Sequence, residues 1–326
     1  MSDIKYFIGP MTKNVVDAII EFSNETGELI GLIPSRRQIE HDGGYVYNWS
    51  TVDFKDYVKS RNANIILCRD HAGPGQGDIE DDGYESLKTD CHTMDMIHID
   101  PWKRVTTIKA AAEKTCLMIA SCYRSNPEMV YEIGTEESIF QYQADELNNF
   151  ISLVKQGTTP EEFNQIRYVV IQSGTSLKGN LNTGQYDKKR LLEMIQVANK
   201  WSLLSKEHNG DYIPVDLIKE KMSLGLTSIN IAPEFGQIET KVYLDKIKKD
   251  SKLFGKLYEI CYISNRWQKW VDKKFDPEKN KEQLINICGH YIVSNLKFVT
   301  EIKNKFRNID DEIKIEIRKK LYELYR

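Results

Sequence analysis

The chain has 326 residues, 40% hydrophobic and 29% charged, with a formal net charge of −3. That length suits one α/β barrel of roughly 250 residues plus an appendage better than two equal domains. The near-neutral balance lacks the clustered basic face that nucleic-acid binding requires, and no run of about 18 apolar residues is present to span a membrane.

The start, Met1-Ser2-Asp3-Ile4-Lys5, has no basic region, apolar middle and small-residue cleavage site, so a cytoplasmic location is expected. Cysteines 68, 91, 116, 122, 261 and 288 lack CxxC spacing, which predicts neither a zinc ribbon nor a disulfide framework. Cys116 and Cys122 fall in an apolar helical pattern and read as core thiols.

Up to about residue 235, short β-type runs alternate with amphipathic helical stretches. Lys5–Ile8 leads into a helix over Val15–Glu25. Leu29–Pro34 is followed by Arg36-Arg37, whose guanidinium forks suit phosphate or carboxylate; a surface pairing with Glu40 or Asp42 is the plainer reading. The third run, Asn64–Asp70, passes into Asp70-His71-Ala72-Gly73-Pro74-Gly75-Gln76-Gly77. A neutral imidazole at a strand end binds a divalent metal. The acid before it, alternating to the other side, can exchange protons with a substrate. Gly73, Gly75 and Gly77 permit close backbone approach. A structural histidine bonded to a loop carbonyl is the bland competitor.

In Asp95–Asp100, period-two alternation sets His98 and Asp100 on one face, with Asp100 nearer the rim and His98 one layer lower. Trp102 either walls a sugar pocket or packs under a loop, before a helix over Thr106–Ser125. Met129–Gly134 carries Glu132, a charge costly to bury unless it meets a cation or a metal. Glu136 and Glu137 read as loop or helix-start acids, ahead of a helix over Asp145–Lys155. Tyr168–Ser173 ends at Gln172, whose amide oxygen offers a neutral ligand or a loop hydrogen bond. A helix over Asp187–Lys200 precedes Ser202–His208, where His208 and Asp211 give the second strong signal. The helix Val215–Leu224 follows Pro214, a good first-turn residue, and the eighth run, Ser228–Ala232, brings Asn230 and Glu234.

Eight strands alternating with helices predict a (β/α)8 TIM barrel over residues 1–235, with catalytic groups at the C-terminal strand ends. From Gly236 the pattern is helical, over Leu253–Trp270, Lys279–Asn295 and Asp311–Tyr325. With no Gly/Ser-rich linker, residues 236–326 are expected as a helical appendage packed on the barrel. Its charge run Ile313–Lys320 reads as a solvated helix face. The absence of a Walker loop, GxGxxG, HExxH and GxSxG leaves nucleotide-dependent and serine-hydrolase readings without support.

Several segments, from Gln38 through Gly43-Gly44-Tyr45 to Asn230–Pro233, resemble the accessory ("non-catalytic") subunit family of class II D-tagatose-1,6-bisphosphate aldolase. They are more distantly similar to class II fructose-bisphosphate aldolases. The resemblance rests on Asp70-His71-x-Gly-Pro, His98-Ile99-Asp100, Glu132-Ile133-Gly134-Thr135-Glu136, Val170-Ile171-Gln172-Ser173-Gly174 and Glu207-His208 with Asp211-Tyr212. The tail Gly289-His290-Tyr291-x-x-Ser294 is similar too. The resemblance implies a metal held by strand-end histidines that polarises a ketose carbonyl and stabilises an enediolate. His71 and His208 match two ligands and Asp70 the acid; Glu132 matches a carboxylate able to contact metal, and Gln172 stands where the family has a strand-six histidine. Such a set suits Zn²⁺ first, then Mn²⁺ or a similar ion. Asp211 places a carboxylate near where the resemblance would seat a phosphate, which is repulsive.

The expectation is therefore a metal-dependent aldolase-type enzyme, performing retro-aldol cleavage or C4 epimerisation of a ketose or ketose phosphate. Asp70 and Asp100 are its candidate catalytic acids, and His71, Glu132, His208 and Gln172 its candidate metal ligands. Arg36, Arg37, His98, Asp211, Asn230 and Glu234 are candidate substrate contacts. The alternative is a non-catalytic accessory subunit that stabilises a separate aldolase chain; a homo-oligomer is equally compatible with the sequence.

Overall fold

The computed structural model describes residues 3–62, 64–293 and 296–326. Met1, Ser2, Ser294 and Asn295, used in the sequence reading, lie outside them. The eight β-type runs become eight parallel strands: β1 (Tyr6–Ile8), β2 (Gly31–Leu32), β3 (Ile66–Ala72), β4 (Met96–Ile99), β5 (Val130–Ile133), β6 (Ile166–Ile171), β9 (Leu204–Glu207) and β10 (Ser228–Ile231). They close in the order β1-β2-β3-β4-β5-β6-β9-β10, and β10 pairs back to β1 with Phe7 opposite Asn230. The remaining two strands, β7 (Leu177–Lys178) and β8 (Leu181–Asn182), form a small antiparallel hairpin in the connection after β6. The chain is thus a (β/α)8 TIM barrel with extra helices.

Continuous apolar character is what a strand buried on both faces needs. One set of side chains fills the barrel: Ile4, Phe7, Ile33, Ile66, Cys68, Met96 and Tyr168 form an interior cluster. Gly31 makes room for it, since a Cβ there would overlap the Phe7 ring. The opposite set, including Tyr6, Ile8, Leu32, Leu67, Ile97 and Ile133, meets the surrounding helices.

Of the thirteen α-helices among the described residues, the first nine are α1 (Lys13–Thr26), α2 (Thr51–Lys59), α3 (Tyr84–Thr93), α4 (Ile108–Ser125), α5 (Ala144–Gly157), α6 (Pro160–Asn164), α7 (Lys188–Lys200), α8 (Val215–Ser223) and α9 (Pro233–Ile247). Helix α9 runs unbroken across the expected 235/236 division. It is followed by α10 (Ser251–Ile263), α11 (Lys281–Ile292), α12 (Leu296–Lys305) and α13 (Ile309–Tyr325). The stretch expected as one helix over Leu253–Trp270 instead ends at Ile263, and Asn265 takes a left-handed φ of 55°.

The last helices pack on the barrel. Helix α13 lies against α1 and α9, with Phe22 edge-on to Tyr322 at 4.9 Å and the Tyr6 hydroxyl donating to the Leu324 carbonyl at 2.7 Å. Gly236 and Gly289 let α9 and α11 approach closely, against His290 and Thr240 respectively. The expected solvated face on α13 is partly engaged: Lys314 bonds Glu21 at 2.7 Å and Arg318 pairs with Glu25. All six cysteines are buried and free. Among the described residues no helix is long and apolar enough to cross a membrane.

Candidate metal centre

The barrel's C-terminal mouth gathers Asp70, His71, His98 and His208, each with a ligand-capable atom within 4.8 Å of the others. Strand alternation alone would not place Asp70 and His71 together, and the sequence reading set them on opposite sides. Between Arg69 and Ala72 the register of β3 shifts, and His71 takes a left-handed φ of 51°. That conformation is unfavourable for a residue with a Cβ and is typically retained where surrounding structure enforces it. It turns two consecutive side chains toward one point.

His98, expected a layer lower as a substrate contact, joins the same point. The three imidazole centroids form a near-equilateral triangle, with His71–His98 at 4.9 Å, His71–His208 at 5.1 Å and His98–His208 at 4.9 Å. Each ring is pinned by its other nitrogen. Asp100 Oδ2 lies 2.5 Å from His71 Nδ1, the Gly134 carbonyl 3.0 Å from His98 Nε2, and Glu132 Oε1 2.8 Å from His208 Nε2. An acceptor at one ring nitrogen fixes the proton there and leaves the other nitrogen's lone pair free, the usual outer arrangement around metal-binding histidines. The free set is His71 Nε2, His98 Nδ1 and His208 Nδ1; His98 Nδ1 also accepts a long 3.3 Å bond from the His71 amide.

The carboxylates divide by role. Asp100 is fully buried, and its oxygens accept from His71, Thr135, Gln76 and the Trp102 amide, so it positions His71. Glu132 splits between His208 and Lys206, whose ammonium lies 2.6 Å from Oε2 and 3.7 Å over the Phe7 ring. Both members of that pair are buried inside the barrel, and Lys206 was not anticipated from sequence. Neither was Glu136: its Oε2 lies 3.7 Å from His71 Nε2 and 3.9 Å from His208 Nδ1. The signals for it were its place two residues beyond Gly134 and its membership of the Glu132–Glu136 segment that carries the resemblance. Asn230 reaches Asp70 with Nδ2 at 3.5 Å, while its buried Oδ1 has no partner among the described residues.

Charge and burial compete at this point. Burial opposes protonation of His71, but Asp70, the Asp100 bond and Glu136 outweigh it and push its pKa up to about 10. Burial of His98 is aided by repulsion from His71 and His208, bringing it down to about 4 despite Glu132 and Asp100. Burial would raise Glu132, but Lys206, then His98 and His208, hold it well below the usual carboxylate range. The centre therefore has an appetite for a cation, which a proton on His71 partly meets.

Other expected site residues lie elsewhere. Gln172 is spent on protein: its Oε1 accepts from the Tyr142 amide and Arg190, and its Nε2 donates to the Thr135 and Phe140 carbonyls. Arg36 is buried against Glu40, Asp81 and the Gly73 carbonyl. Arg37 stays half-exposed at the rim, 3.3 Å from Asp78. Asp211 Oδ1 accepts from the Ala232 and Glu234 amides, capping α9 from outside that helix, so its carboxylate serves the fold. Burial, then Glu234, pushes Asp211 up to about 8. Glu234 bonds the Tyr212 amide and Lys320. Trp102 packs on Phe140, Tyr142 and Phe150.

No family model and no curated protein matches the chain. Among solved structures it is similar to a protein described as a probable tagatose 6 phosphate kinase from Sinorhizobium meliloti 1021, with TM-score 0.75, 15% identity and 99% of each chain covered. It is also similar to the fructuronate-tagaturonate epimerase UxaE from Cohnella laeviribosi (TM-score 0.65, 10% identity, 99% of this chain and 81% of that one). The YdjI aldolase from Escherichia coli K12 matches with TM-score 0.53 and 12% identity over 91% of each chain. At these identities the shared property is the fold.

Proposed function

We propose that this protein is a metal-dependent, aldolase-type enzyme that cleaves or epimerises a ketose or ketose phosphate. The observation that carries the reading is the convergence of three pinned histidines and Asp70 at the mouth of the barrel. The YdjI aldolase and the fructuronate-tagaturonate epimerase, which share the fold, support it. Three imidazole nitrogens and a carboxylate suit Zn²⁺, and also Mn²⁺. His71, His98 and His208 would hold the ion, with Asp70 beside it. When bound, it supplies Lewis-acid polarisation of a substrate carbonyl.

The protein's own groups do the rest. Asp70, partly exposed toward the mouth, takes the proton of the C4 hydroxyl as the C3–C4 bond breaks, and the bonding electron pair stays with the C3 fragment. Returning that proton to the C4 oxygen after the aldehyde fragment has rotated and the bond has re-formed inverts C4; release of the aldehyde, with the proton delivered to C3 of the remaining fragment, instead gives cleavage. Asn230 Oδ1 provides an unpaired acceptor beside Asp70 for a substrate hydroxyl. Glu136 faces the same space from β5's loop. Asp100 and Glu132 position His71 and His208.

A screen of ketoses and ketose phosphates, read by NMR for epimer or triose product, tests this. Turnover is expected to vanish on chelation, to return with Zn²⁺ or Mn²⁺, and to stay absent in His71→Ala whatever the metal supplied. Full turnover in chelated protein or in His71→Ala would sink the proposal. A protein without turnover that raises the activity of a separate class II aldolase chain would be an accessory subunit instead.

A further inference from the structure

We propose that Arg37, Lys103, Arg266 and Lys269 form an anion subsite at the barrel mouth, which receives an oxyanion carried on the sugar substrate. This deepens the function proposed above and rests on it. The cations come from separate places in the chain. Arg37 follows β2 and Lys103 follows β4, both on the C-terminal face that bears the histidine cluster. Arg266 and Lys269 lie between α10 and α11, and this connection folds onto the same face. Arg266 lies 3.5 Å from Asp78, in the loop after β3, and its guanidinium sits 5.5 Å from the Tyr45 ring and 5.0 Å from that of Tyr291. The hairpin after β6 meets the same connection, with Lys178 3.7 Å from Asp272.

These four cations are short of counter-charge. Arg37 and Arg266 share one carboxylate, Asp78, at 3.3 and 3.5 Å. Among the described residues Lys103 and Lys269 have neither an ion pair nor a hydrogen bond; Lys269 rests against the Trp270 and Tyr291 rings at 4.7 and 5.2 Å. Behind them His290 is fully buried, and among the described residues both its ring nitrogens are unpartnered. Burial, then Lys269 and Arg266, brings it down to about 3, so it stays neutral and adds no positive charge to the cluster.

The cations also sit beside the chemistry. Lys103, though exposed, is lowered first by desolvation and then by Arg37, with Lys269 adding to the effect and Asp100 and Glu136 opposing it. Lys103 is also three residues beyond Asp100, whose carboxylate bonds His71, so it borders the group of carboxylates around the histidines. A sugar whose reacting carbons lie at Asp70 would present its charged end to this rim. Exposed lysines cost little to maintain, and a phosphate or carboxylate would gain charge-assisted bonds here.

The test uses the chelator-treated full chain, so that neither metal nor turnover enters the readout. Calorimetric titration with inorganic phosphate, and separately with acetate, compares wild type with Lys103→Gln/Lys269→Gln and with His71→Ala. Saturable binding is expected in wild type and His71→Ala, weakened at least tenfold in the double variant, with an unchanged circular dichroism spectrum. Preference for phosphate identifies a phosphate ester, and preference for acetate a sugar acid. Absence of saturable binding of either anion, or equal binding by the double variant, would overturn the subsite. Failure of the catalytic proposal alone would leave these titrations as expected.

Discussion

Glu132→Gln separates the centre's electrostatics from its packing, because the substitution keeps volume and removes only charge. Glu132 and Lys206 are both buried, with 2.6 Å between Oε2 and Nζ. Stranding one member of a buried pair costs about 3–5 kcal/mol. Here the stranded ammonium would keep the Phe7 face, 3.7 Å away, and the more distant Tyr168 ring at 6.0 Å, but no hydrogen-bonded carboxylate. The replacement amide also faces a conflict. With its oxygen on Lys206, its NH₂ points at His208 Nε2, which must then accept. The His208 proton would move to Nδ1, the nitrogen aimed at the cluster. Loss of such an outer partner typically costs about 10–100-fold in metal affinity.

Lys206→Met added to Glu132→Gln removes the stranded charge and frees the amide oxygen to turn to His208. The double variant should thus be more stable than Glu132→Gln alone and bind the ion more tightly. Urea unfolding of metal-free protein and competitive Zn²⁺ titration measure the two effects. Glu132→Gln within about 1 kcal/mol of wild type, or a double variant worse than the single in both measurements, would refute the reasoning. The sign with pH follows as well. Because the folded pKa lies below 4.5, the pair's contribution is present above pH 4.5 and fades as pH falls from there toward the depressed value.

Asp70→Asn should retain the ion on three histidine nitrogens yet lose about 10²–10⁴ in kcat; metal analysis beside the turnover assay checks both, and near-wild-type turnover would remove Asp70 from its role. Gln172→Ala leaves the Phe140 carbonyl and the Tyr142 amide without their partner, so about 1–3 kcal/mol of stability should be lost. Zn²⁺ affinity by equilibrium dialysis should not change, and a large drop would mean that Gln172 does reach the ion. In chelated protein, the raised His71 pKa contributes stability that is complete below 6.5 and is lost as pH rises toward about 10. Denaturation midpoints across that window should fall with pH, and His71→Ala should flatten the fall; an unchanged slope in the variant would assign it to other groups.

All eight barrel strands were legible because short β-type runs, several of them continuously apolar over three or four residues, alternate with amphipathic helical stretches, and the predicted and observed strands coincide within a few residues; β9, Leu-Ser-Lys-Glu, is the polar exception. Helices α2 and α3 were not singled out, since each is short and mostly polar, and the start of α9 was hidden behind Pro233. Within the site, Asp70, His71 and His208 were visible from residue type and strand-end position. What stayed hidden depends on departures from regular backbone or on distant partners. The period-two rule fails at His71 because φ turns positive there. Gln172 looked like a ligand because its four partners, spread from Thr135 to Arg190, are invisible locally. Asp211 looked like a rim acid, although its oxygen caps a helix that begins some twenty residues later.

Charges named from the sequence and charges it missed together give the mouth its polarity. Asp70, Asp100, Glu132 and Glu136 surround the three histidines, and among the described residues Lys206 is the lysine bonded to this set. Protonation of His71 well above its ordinary range is the metal-free protein's partial answer to that surplus. A divalent ion would answer it more completely and displace that proton. Farther out lie the cations of the proposed subsite: Arg37 and Arg266 share Asp78 at 3.3 and 3.5 Å, and Lys103 and Lys269 have no ion pair among the described residues. A ligand entering this field is oriented before it touches a side chain: its anionic end is drawn to the rim and repelled by the floor, while its neutral carbonyl and hydroxyls can descend. Such a gradient favours one direction of binding for a sugar charged at one end, and it sets the reacting carbons, not the charged terminus, beside Asp70.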